Sequence, residues 1–543
     1  MPRSALARGL VALAAALVTT LAAPAVPARG LCTCMMRVRP PERLPVPESP
    51  LVSDASLVVL MREGRRTILT MRVDYQGPPE DFAMLVPVPE VLSRGQVRTL
   101  EPGVIERLDR LSAPRLVEYW ERNPCGEGAG GRGPMSARRA RSGDGLGGAM
   151  QVAAEAAPRP PPVRIEASYA VDEYDVTILS ASDSAGLLVW LDGAGYALPD
   201  SAEPILRSYI EQGTKFFLAR VDGSRLRLRN GRGRLAPLQF HYESDSFQLP
   251  IRLGLVNSPG QQDVVVLALS HRGRIDVANR PSTIIPTNLT LPEEARESFP
   301  AVYGALLDGV LRGQPGAVVT EFASDVRDEL SVSDAHALGA DRVPSRNPSG
   351  FTLTRLHYRY QHDQRPDDLV FRYSDPIGGG DAQPTADGQL GPVRAQARLS
   401  SSFRARYAIF HRFEGPLACG APQRGRWGGP RPGEAPSPIP ADIAPIAAID
   451  GNALGRMLGD QLAAVGVLVG VAKREAPGSV ALAKKDEPGV LAANAAWPAG
   501  GAPAAPVPAS AGGCSCDTAR PHARDPALWL VGLVAFALWR RRR

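Results

Sequence analysis

Apolar and polar side chains alternate along much of the middle of the chain. Apolar residues occupy every second position from Leu69 to Tyr75. A period of two places alternate side chains on opposite faces of a strand. We therefore predict a half-buried hairpin formed by residues 57–61 and 68–75, with a turn at Glu63-Gly64. Further strands are predicted at 82–88, 163–169, 174–178, 216–221, 226–228, 238–242, 251–255, 264–270, 353–360, 369–373 and 406–410.

Other segments repeat their apolar residues at helical spacing. Residues 104–111 carry one apolar face, and Leu116 and Trp120 predict a second helix that starts near Pro114. Helices are also predicted at 183–191, 203–212 and 293–311, the first two with Asp183 and Ser201 as N-caps. Strands with helices inserted between them indicate an α+β fold with a largely antiparallel sheet.

Composition divides the chain around this region. A proline-rich leader at 29–50 precedes the α+β domain at 51–420. Residues 126–162 are rich in Gly, Ala, Arg and Pro, which predicts a flexible insertion in that domain. Residues 421–513 read as a linker and stalk rich in Pro, Ala and Gly, with a short helix at 454–473.

The first 28 residues have the organisation of a signal peptide. Arg3 and Arg8 precede an apolar run at 10–26, and small residues allow cleavage after Ala25 or Ala28. A lipoprotein signal ending at Cys32 is the alternative, but bulky Leu31 occupies the position where such a signal needs a small residue.

The last residues form a second apolar segment, at 527–539, followed by four arginines at 540–543. The arginines favour the cytoplasmic side of a membrane. At about 1.5 Å of rise per residue, the segment is shorter than a hydrocarbon core of roughly 30 Å. We therefore expect a transient membrane-bound helix in a sorting tail at 514–543.

Charge gives no support to nucleic-acid binding. The chain has a formal charge of +6, but the signal carries two arginines, and the part after Cys516 carries six arginines and two aspartates. Removal of both segments leaves a net charge of zero. A nucleic-acid partner, which would need a basic face, is therefore not expected.

Six cysteines are too few for a disulfide scaffold. Outside the cytoplasm, Cys125 and Cys419 are the expected structural pair. Cys32 and Cys34 stay undetermined: they could pair with each other, pair with the other two, or bind metal. The metal alternative is weak, because no second Cys or His pair has zinc-ligand spacing.

Sequence motifs identify no catalytic residue, metal site or cofactor site. The seven histidines are scattered, and His241 and His357 lie at polar strand positions, where we expect them to be exposed. Neither a nucleophile elbow nor a P-loop is present. Three acidic clusters are the remaining candidates for a glycosidase or calcium site, although solvated edges are the simpler interpretation: Glu80-Asp81, Asp172-Glu173 with Asp175, and Asp367-Asp368.

Several phrases of the middle region resemble one family of exported bacterial proteins, the domain of unknown function 2330 family. They are Tyr75 to Ala83 followed by Leu85 to Pro89, then Leu111 to Arg115, Tyr174 to Ala181, and Val318 to Glu321. The resemblance covers most of residues 50–420. It implies a shared fold and export, and no activity. Family members tend to open with a cysteine-glycine-aromatic motif, whereas this chain has Cys32-Thr33-Cys34.

The order of cysteine motif, apolar helix and arginine cluster at the end resembles the Myxo C-terminal sorting domain. This resemblance implies cleavage by a sorting protease and lipidation of Cys514 or Cys516. The expected partners are therefore the export machinery, that protease and a membrane, with an anchored location at the outer membrane or cell surface.

Location signals dominate, so we expect a non-enzymatic surface or envelope protein. An envelope hydrolase is one alternative, if acidic residues converge in the fold. A carbohydrate- or lipid-binding module is another, for which an exposed aromatic cluster around Trp120 and Trp190 would be the sign. Both tryptophans are expected to pack in the core.

Overall fold

The computed structural model describes residues 34–38, 55–72, 82–125, 162–225, 228–229, 232–233, 235–257, 261–343, 350–361, 366–391, 394–428, 439–440, 451–459 and 461. The predicted signal peptide and sorting tail lie outside these residues, as does the predicted insertion except for Pro162.

Strands are the most common regular element of the described chain. The strands are β1 (Cys34–Val38), β2 (Ala55–Glu63), β3 (Arg66–Met71), β4 (Phe82–Val88), β5 (Val97–Thr99), β6 (Arg115–Glu121), β7 (Val163–Val171), β8 (Tyr174–Ala181), β9 (Tyr196–Ala197), β10 (Lys215–Val221), β11 (Leu228–Arg229), β12 (Arg232–Gly233), β13 (Leu238–Glu243), β14 (Gln248–Leu249), β15 (Gln261–Ser270), β16 (Ile275–Val277), β17 (Ser282–Thr283), β18 (Leu289–Thr290), β19 (Val318–Asp325), β20 (Thr352–Gln361), β21 (Leu369–Tyr373), β22 (Ile377–Gly379), β23 (Gln396–Ala397), β24 (Ser402–Arg404), β25 (Arg406–His411), β26 (Trp427–Gly428) and β27 (Ile439–Pro440).

Helices are inserted between the strands. The α-helices are α1 (Pro102–Ser112), α2 (Ser184–Gly193), α3 (Glu203–Glu211), α4 (Phe299–Gly313), α5 (Val332–Ala335) and α6 (Gly451–Leu458). Short 3-10 helices span Arg94–Gln96, Asp200–Ala202, Gly223–Arg225, Arg252–Asn257 and Glu293–Ala295, and a π-helical turn spans His336–Ala340.

Two large sheets organise these strands. One has the order β7-β8-β10-β4-β1-β9, and the other has the order β23-β22-β24-β19-β20-β15-β2-β3-β13-β5 with β17 beside β19. A smaller sheet has the order β18-β25-β6-β26, with β27 also paired to β6. Most pairs are antiparallel, as predicted, but β15 runs parallel to β2 and β25 runs parallel to β6.

The two large sheets pack face to face around one apolar cluster, to which β2, β13, β15 and β20 contribute from one side and β4, β8 and β10 from the other. The outer face of the six-stranded sheet packs on α2 and α3. The outer face of the longer sheet packs on α1, while a further cluster surrounds α4. Helices therefore cover both outer faces of an antiparallel double layer.

The prediction that the hairpin is half-buried is wrong, because other elements cover both of its faces. Strands β2 and β3 form the predicted hairpin, with Glu63 opposite Arg66 and Gly64 in the turn at a φ of 58°. Both faces are buried, however, since Leu60 and Leu69 contact one cluster while Val59 and Ile68 belong to another. The described chain ends at residue 72 here, so Tyr75 lies outside it.

The predicted helix after Pro114 is wrong, because residues 115–121 form strand β6. The spacing of Leu116 and Trp120 fits a helix, but β6 pairs in parallel with β25 along six residues. Leu116 is buried there, whereas Trp120 remains partly exposed and stacks on His411 with 4.5 Å between the ring centroids. Non-local pairing has overridden local spacing.

Smaller corrections concern turns and caps. Residues 252–257 form a 3-10 helix, although a strand was predicted there; the Gly254 amide donates to the Ile251 carbonyl at 3.1 Å. The predicted N-cap Asp183 is confirmed by its bond to the Gly186 amide. The N-cap of α3 is Ala202, however, and not Ser201.

Helix α6 packs on the domain. Leu454 and Leu458 are buried in the cluster around α4, and the Gln461 amide pairs with both backbone groups of Thr290 at 2.8 Å. The remainder of the helix predicted at 454–473 lies outside the described residues. Among the described residues, no helix is long and apolar enough to cross a membrane.

Candidate functional site

Seven charged side chains lie in a continuous line on the outer face of the longer sheet. We call this line the buried ion chain. Its members, in spatial order, are Asp109, Arg355, Glu321, His357, Asp263, Arg359 and Asp308.

Strand β20 supplies the cations of the chain. Arg355, His357 and Arg359 are alternate residues of β20, so their side chains share one face. Neighbouring β15 places Asp263 opposite Arg359. Helices α1 and α4 cover this face, and Asp109 and Asp308 belong to these two helices.

Glu321 enters the line through a β-bulge in β19. Thr320 pairs with Leu356 and Phe322 with Arg355, so Glu321 is the extra residue. A bulge redirects the side chains that follow it. Glu321 and Phe322 consequently both face the helices, where Glu321 joins the ion chain and Phe322 joins an apolar cluster.

Glu321 is held by three donors. Arg355 Nε donates to Glu321 Oε2 at 2.6 Å, and Oε1 lies 2.7 Å from His357 Nδ1 and accepts from the Tyr303 hydroxyl at 2.5 Å. Arg355 Nη1 also donates to Asp109 Oδ1 at 2.5 Å. The Glu321 and Arg355 side chains are each only 1% exposed, so water cannot replace these partners.

Asp263 forms the other half of the line. Arg359 donates to both of its oxygens, at 2.7 and 2.6 Å, and also reaches Asp308 Oδ1 at 2.7 Å. His357 Nε2 lies 3.4 Å from Asp263 Oδ1. That distance allows an ion pair, but the atoms are not aligned for a hydrogen bond.

These contacts fix the charge of every inner member. Burial lowers the pKa of His357, but Glu321 and Asp263 outweigh it and raise that pKa to about 9. Burial raises the pKa of Glu321, but His357 and Arg355 outweigh it and lower that pKa to about 2. Burial also raises the pKa of Asp263, but Arg359 and His357 outweigh it and hold that pKa well below its ordinary value. At neutral pH the signs therefore alternate along the chain.

Such an arrangement is suited to holding elements in register. A general acid or base needs a pKa near the working pH, and the inner members have pKa values far from it. The carboxylates instead join separate elements, since Glu321 joins β19 to β20 and, through Tyr303, to α4. Within the described residues, no group of three His, Cys, Asp or Glu side chains is placed to hold a metal ion.

A second charged region lies at the end of β6. The predicted Cys125–Cys419 disulfide is confirmed, with 5.5 Å between the Cα atoms. Beside it, the Arg122 amide donates to the Arg426 carbonyl at 2.8 Å. We call residues 120–125 and 411–428 the disulfide-held edge.

Glu121 positions the loop of this edge. Its buried carboxylate accepts from the Phe413 amide at 3.1 Å, from the Gly425 amide at 2.8 Å and from Arg424 Nη1 at 2.8 Å. Burial raises the pKa of Glu121, but the two amides and the arginine outweigh it and keep the pKa below its usual range. One carboxylate therefore sets the path of residues 413–425.

The edge and residues 383–384 together line an open pocket of about 490 Å³. It is lined by Arg122, Gln383, Pro384, Gly425, Arg426 and Trp427. Trp427 is half-buried, with a T-shaped contact to Phe410 at 4.9 Å between centroids and with Gly388 close to its ring.

Of the other four cysteines considered in the sequence, the structure describes one. Cys34 begins β1, whose backbone pairs with β4. Cys32, Cys514 and Cys516 lie outside the described residues, and their roles stay predictions.

The predicted exposure of the strand histidines is wrong. His357 is 5% exposed, and His241 is half-buried, with Nδ1 2.6 Å from Arg342 Nη1. Both strands are covered on the faces that carry these histidines. Burial lowers the pKa of His241, and its cationic neighbours lower it further.

The described members of the acidic clusters have separate partners. Asp175 pairs with Arg225, and Asp172 accepts from Thr99. Asp368 is mostly buried against Arg252 at 3.0 Å and is not at a solvated edge. Its neighbour Asp367 is exposed. Glu80 and Asp81 lie outside the described residues.

Sequence reasoning did not identify the ion chain, although a signal was present. Three alternating basic positions in β20 accompany an acid that directly precedes apolar residues in each neighbouring strand, Asp263 in β15 and Glu321 in β19. An acid buried among apolar residues needs a buried cation. The pairing order that brings them together is not local.

The chain matches the model of one known protein family. The family model described as "Uncharacterized protein conserved in bacteria (DUF2330)" matches residues 32–372. The chain belongs to this family. Neither the curated proteins nor the solved structures contain a match. The matched region of this DUF2330 member includes the whole ion chain and ends before most of the pocket residues.

Proposed function

We propose that this protein is exported and retained at the cell envelope, and that it acts there without catalysing a reaction. The Cys125–Cys419 bond carries the proposal. Structural disulfides persist in oxidising compartments and are rare in the bacterial cytoplasm. The apolar segments at 10–26 and 527–539 support export and retention from the sequence side.

Retention is assigned to the C-terminal segment. Cys514 and Cys516 precede the apolar stretch and the four arginines, as in the sorting tail that they resemble. A sorting protease would cleave there, and lipidation of one cysteine would attach the protein to the outer membrane or cell surface. A protein that carries one acyl chain binds a membrane only marginally, whereas two acyl chains anchor it stably.

An envelope hydrolase is the weaker candidate. Glycosidases pair a carboxylate with a carboxylic acid of raised pKa. In the ion chain, the pKa values of Glu321 and Asp263 are both lowered. These buried carboxylates therefore do not support a hydrolase.

The intact mass of the protein from membrane fractions of its native host tests the proposal. We expect loss of residues 1–25 or 1–28, loss of the sequence after the modified cysteine, added acyl mass, and oxidised Cys125 and Cys419. Cys514→Ser and Cys516→Ser identify the modified residue, with Cys34→Ser as the matched control. An unprocessed species in the cytosol would contradict export, and a processed species without acyl mass would contradict lipid anchoring.

A further inference from the structure

The pocket at the disulfide-held edge is lined by arginines that form no ion pair among the described residues. Within the described part of the chain, the Arg122 guanidinium has no hydrogen-bond or ion-pair partner, and Arg426 donates to the Gln423 side-chain oxygen and to no carboxylate. The six lining residues include two arginines and no acid. Two guanidinium groups are thus left available to an anion.

The surroundings of the arginines are built by glycines. A Cβ at Gly428 would lie 3.0 Å from Arg122 Nε, so the arginine lies across a strand position that has no side chain. A Cβ at Gly388 would lie 2.6 Å from the Trp427 ring. Gly425 has a φ of 80°, and a Cβ there would lie 2.2 Å from the Ala386 carbonyl oxygen. The pocket depends on close packing of three chain segments.

The lining combines two kinds of recognition. Guanidinium forks bind carboxylates in the plane of the group, and the Gln383 amide adds a neutral donor and acceptor. The Trp427 ring and Pro384 offer apolar surface. A ligand that matches these side chains has a ring with C–H groups on its faces. A carboxylate is attached at the edge of that ring.

We propose that this pocket binds a carboxylate-bearing saccharide, such as a uronic-acid unit of a polysaccharide. The volume falls within the range of roughly 300–1,000 Å³ that is typical of small-molecule sites. Arg122 and Arg426 bind the carboxylate, Gln383 bonds a hydroxyl, and Trp427 packs on the sugar face. Of the six lining residues, Arg122 lies in the region that matches the family model, and the other five follow it in sequence.

Calorimetric titration of the full chain with trigalacturonic acid tests the proposal. We expect a Kd of about 1 mM or tighter, and at least about tenfold weaker binding for Arg122→Gln and for Arg426→Gln. Arg312→Gln removes the same charge from the exposed end of α4 and should leave the Kd unchanged. Both pocket arginines are exposed, and thermal unfolding of each variant checks that the fold is intact.

Two further ligands separate the contributions. The methyl-esterified trimer lacks the charges and should bind at least about tenfold more weakly, and inorganic phosphate, which lacks the apolar face, should bind more weakly than the trimer. No binding of trigalacturonic acid at about 10 mM, equal binding of the ester, or an equal loss in Arg312→Gln would overturn the proposal. Phosphate binding as tight as that of the trimer would overturn the assignment to a saccharide.

Discussion

In the buried ion chain, Arg355 and Arg359 each bind two carboxylates, whereas Arg122 and Arg426 at the disulfide-held edge bind none among the described residues. Burial explains the difference, because a charge removed from water must be compensated within the protein. A charge at the surface can remain available to a ligand. Arginine side chains therefore stabilise the fold in the buried ion chain and are available to bind a ligand at the disulfide-held edge.

The covalent link between the two parts of the edge gives the largest expected effect. Replacing Cys125 and Cys419 together by serine should lower the free energy of unfolding by about 5 kcal/mol, because the unfolded chain loses a very long closed loop. Urea unfolding with and without dithiothreitol measures this. Reductant should destabilise the natural protein and leave the double variant unchanged; a double variant as stable as the natural protein would contradict the prediction.

Breaking the centre of the ion chain comes next. Glu321→Gln leaves Arg355 and His357 without their shared carboxylate, and we expect a loss of about 3–5 kcal/mol in the free energy of unfolding. Glu293→Gln is the matched control, since that side chain is 75% exposed, and it should change stability by less than about 0.5 kcal/mol. Equal effects of the two substitutions would remove the distinction between buried and exposed charge.

Alkaline pH should weaken the chain without any substitution. The pKa of His357 is raised from 6.5 to about 9 in the folded protein, so its stabilisation is complete below pH 6.5 and is lost as pH rises through about 9. The loss should be about 3 kcal/mol. Unfolding free energies between pH 6 and pH 10 measure it, and His357→Gln should flatten the decline. A decline of unchanged size in His357→Gln would assign it to other groups.

The smallest effect is expected at the pocket. Gly425→Ala places a side chain on a residue with a φ of 80°, against the Ala386 carbonyl, and should cost about 1–2 kcal/mol. Trigalacturonic acid should also bind more weakly, as measured by the same calorimetry. Gly95→Ala meets no atom within 4 Å and serves as the control. Unaltered binding in Gly425→Ala would show that the loop does not shape the pocket.

Local patterns predicted most strands and the helices at α1, α2 and α3, because alternation and capping depend on neighbours in sequence. They failed at β6, where the spacing of Leu116 and Trp120 satisfies both a helix and a partly exposed strand, and only pairing with β25 decides between them. His357 was misplaced for a related reason. Alternation predicts that a polar face exists, and only the packing of α1 and α4 determines that this face is covered.

The two charged regions differ in how far sequence could predict them. The disulfide follows from the number of cysteines and the expected compartment. The pocket does not, because Arg122 meets residues 383–427 only after β6 has paired with β25 and β26. Predicting the position of the Glu321 side chain would have required knowledge of the β-bulge in β19. That bulge depends on the register between β19 and β20.

The Cys125–Cys419 bond has a consequence for proteolysis. Asp263, Glu321 and the β20 cations all lie between the two cysteines in sequence, while Asp109 lies before them. A single cut at any peptide bond from Cys125 to Cys419, such as one at Arg138, yields two polypeptides that remain covalently joined. The nicked molecule would migrate as one species on a gel without reductant and as two with it.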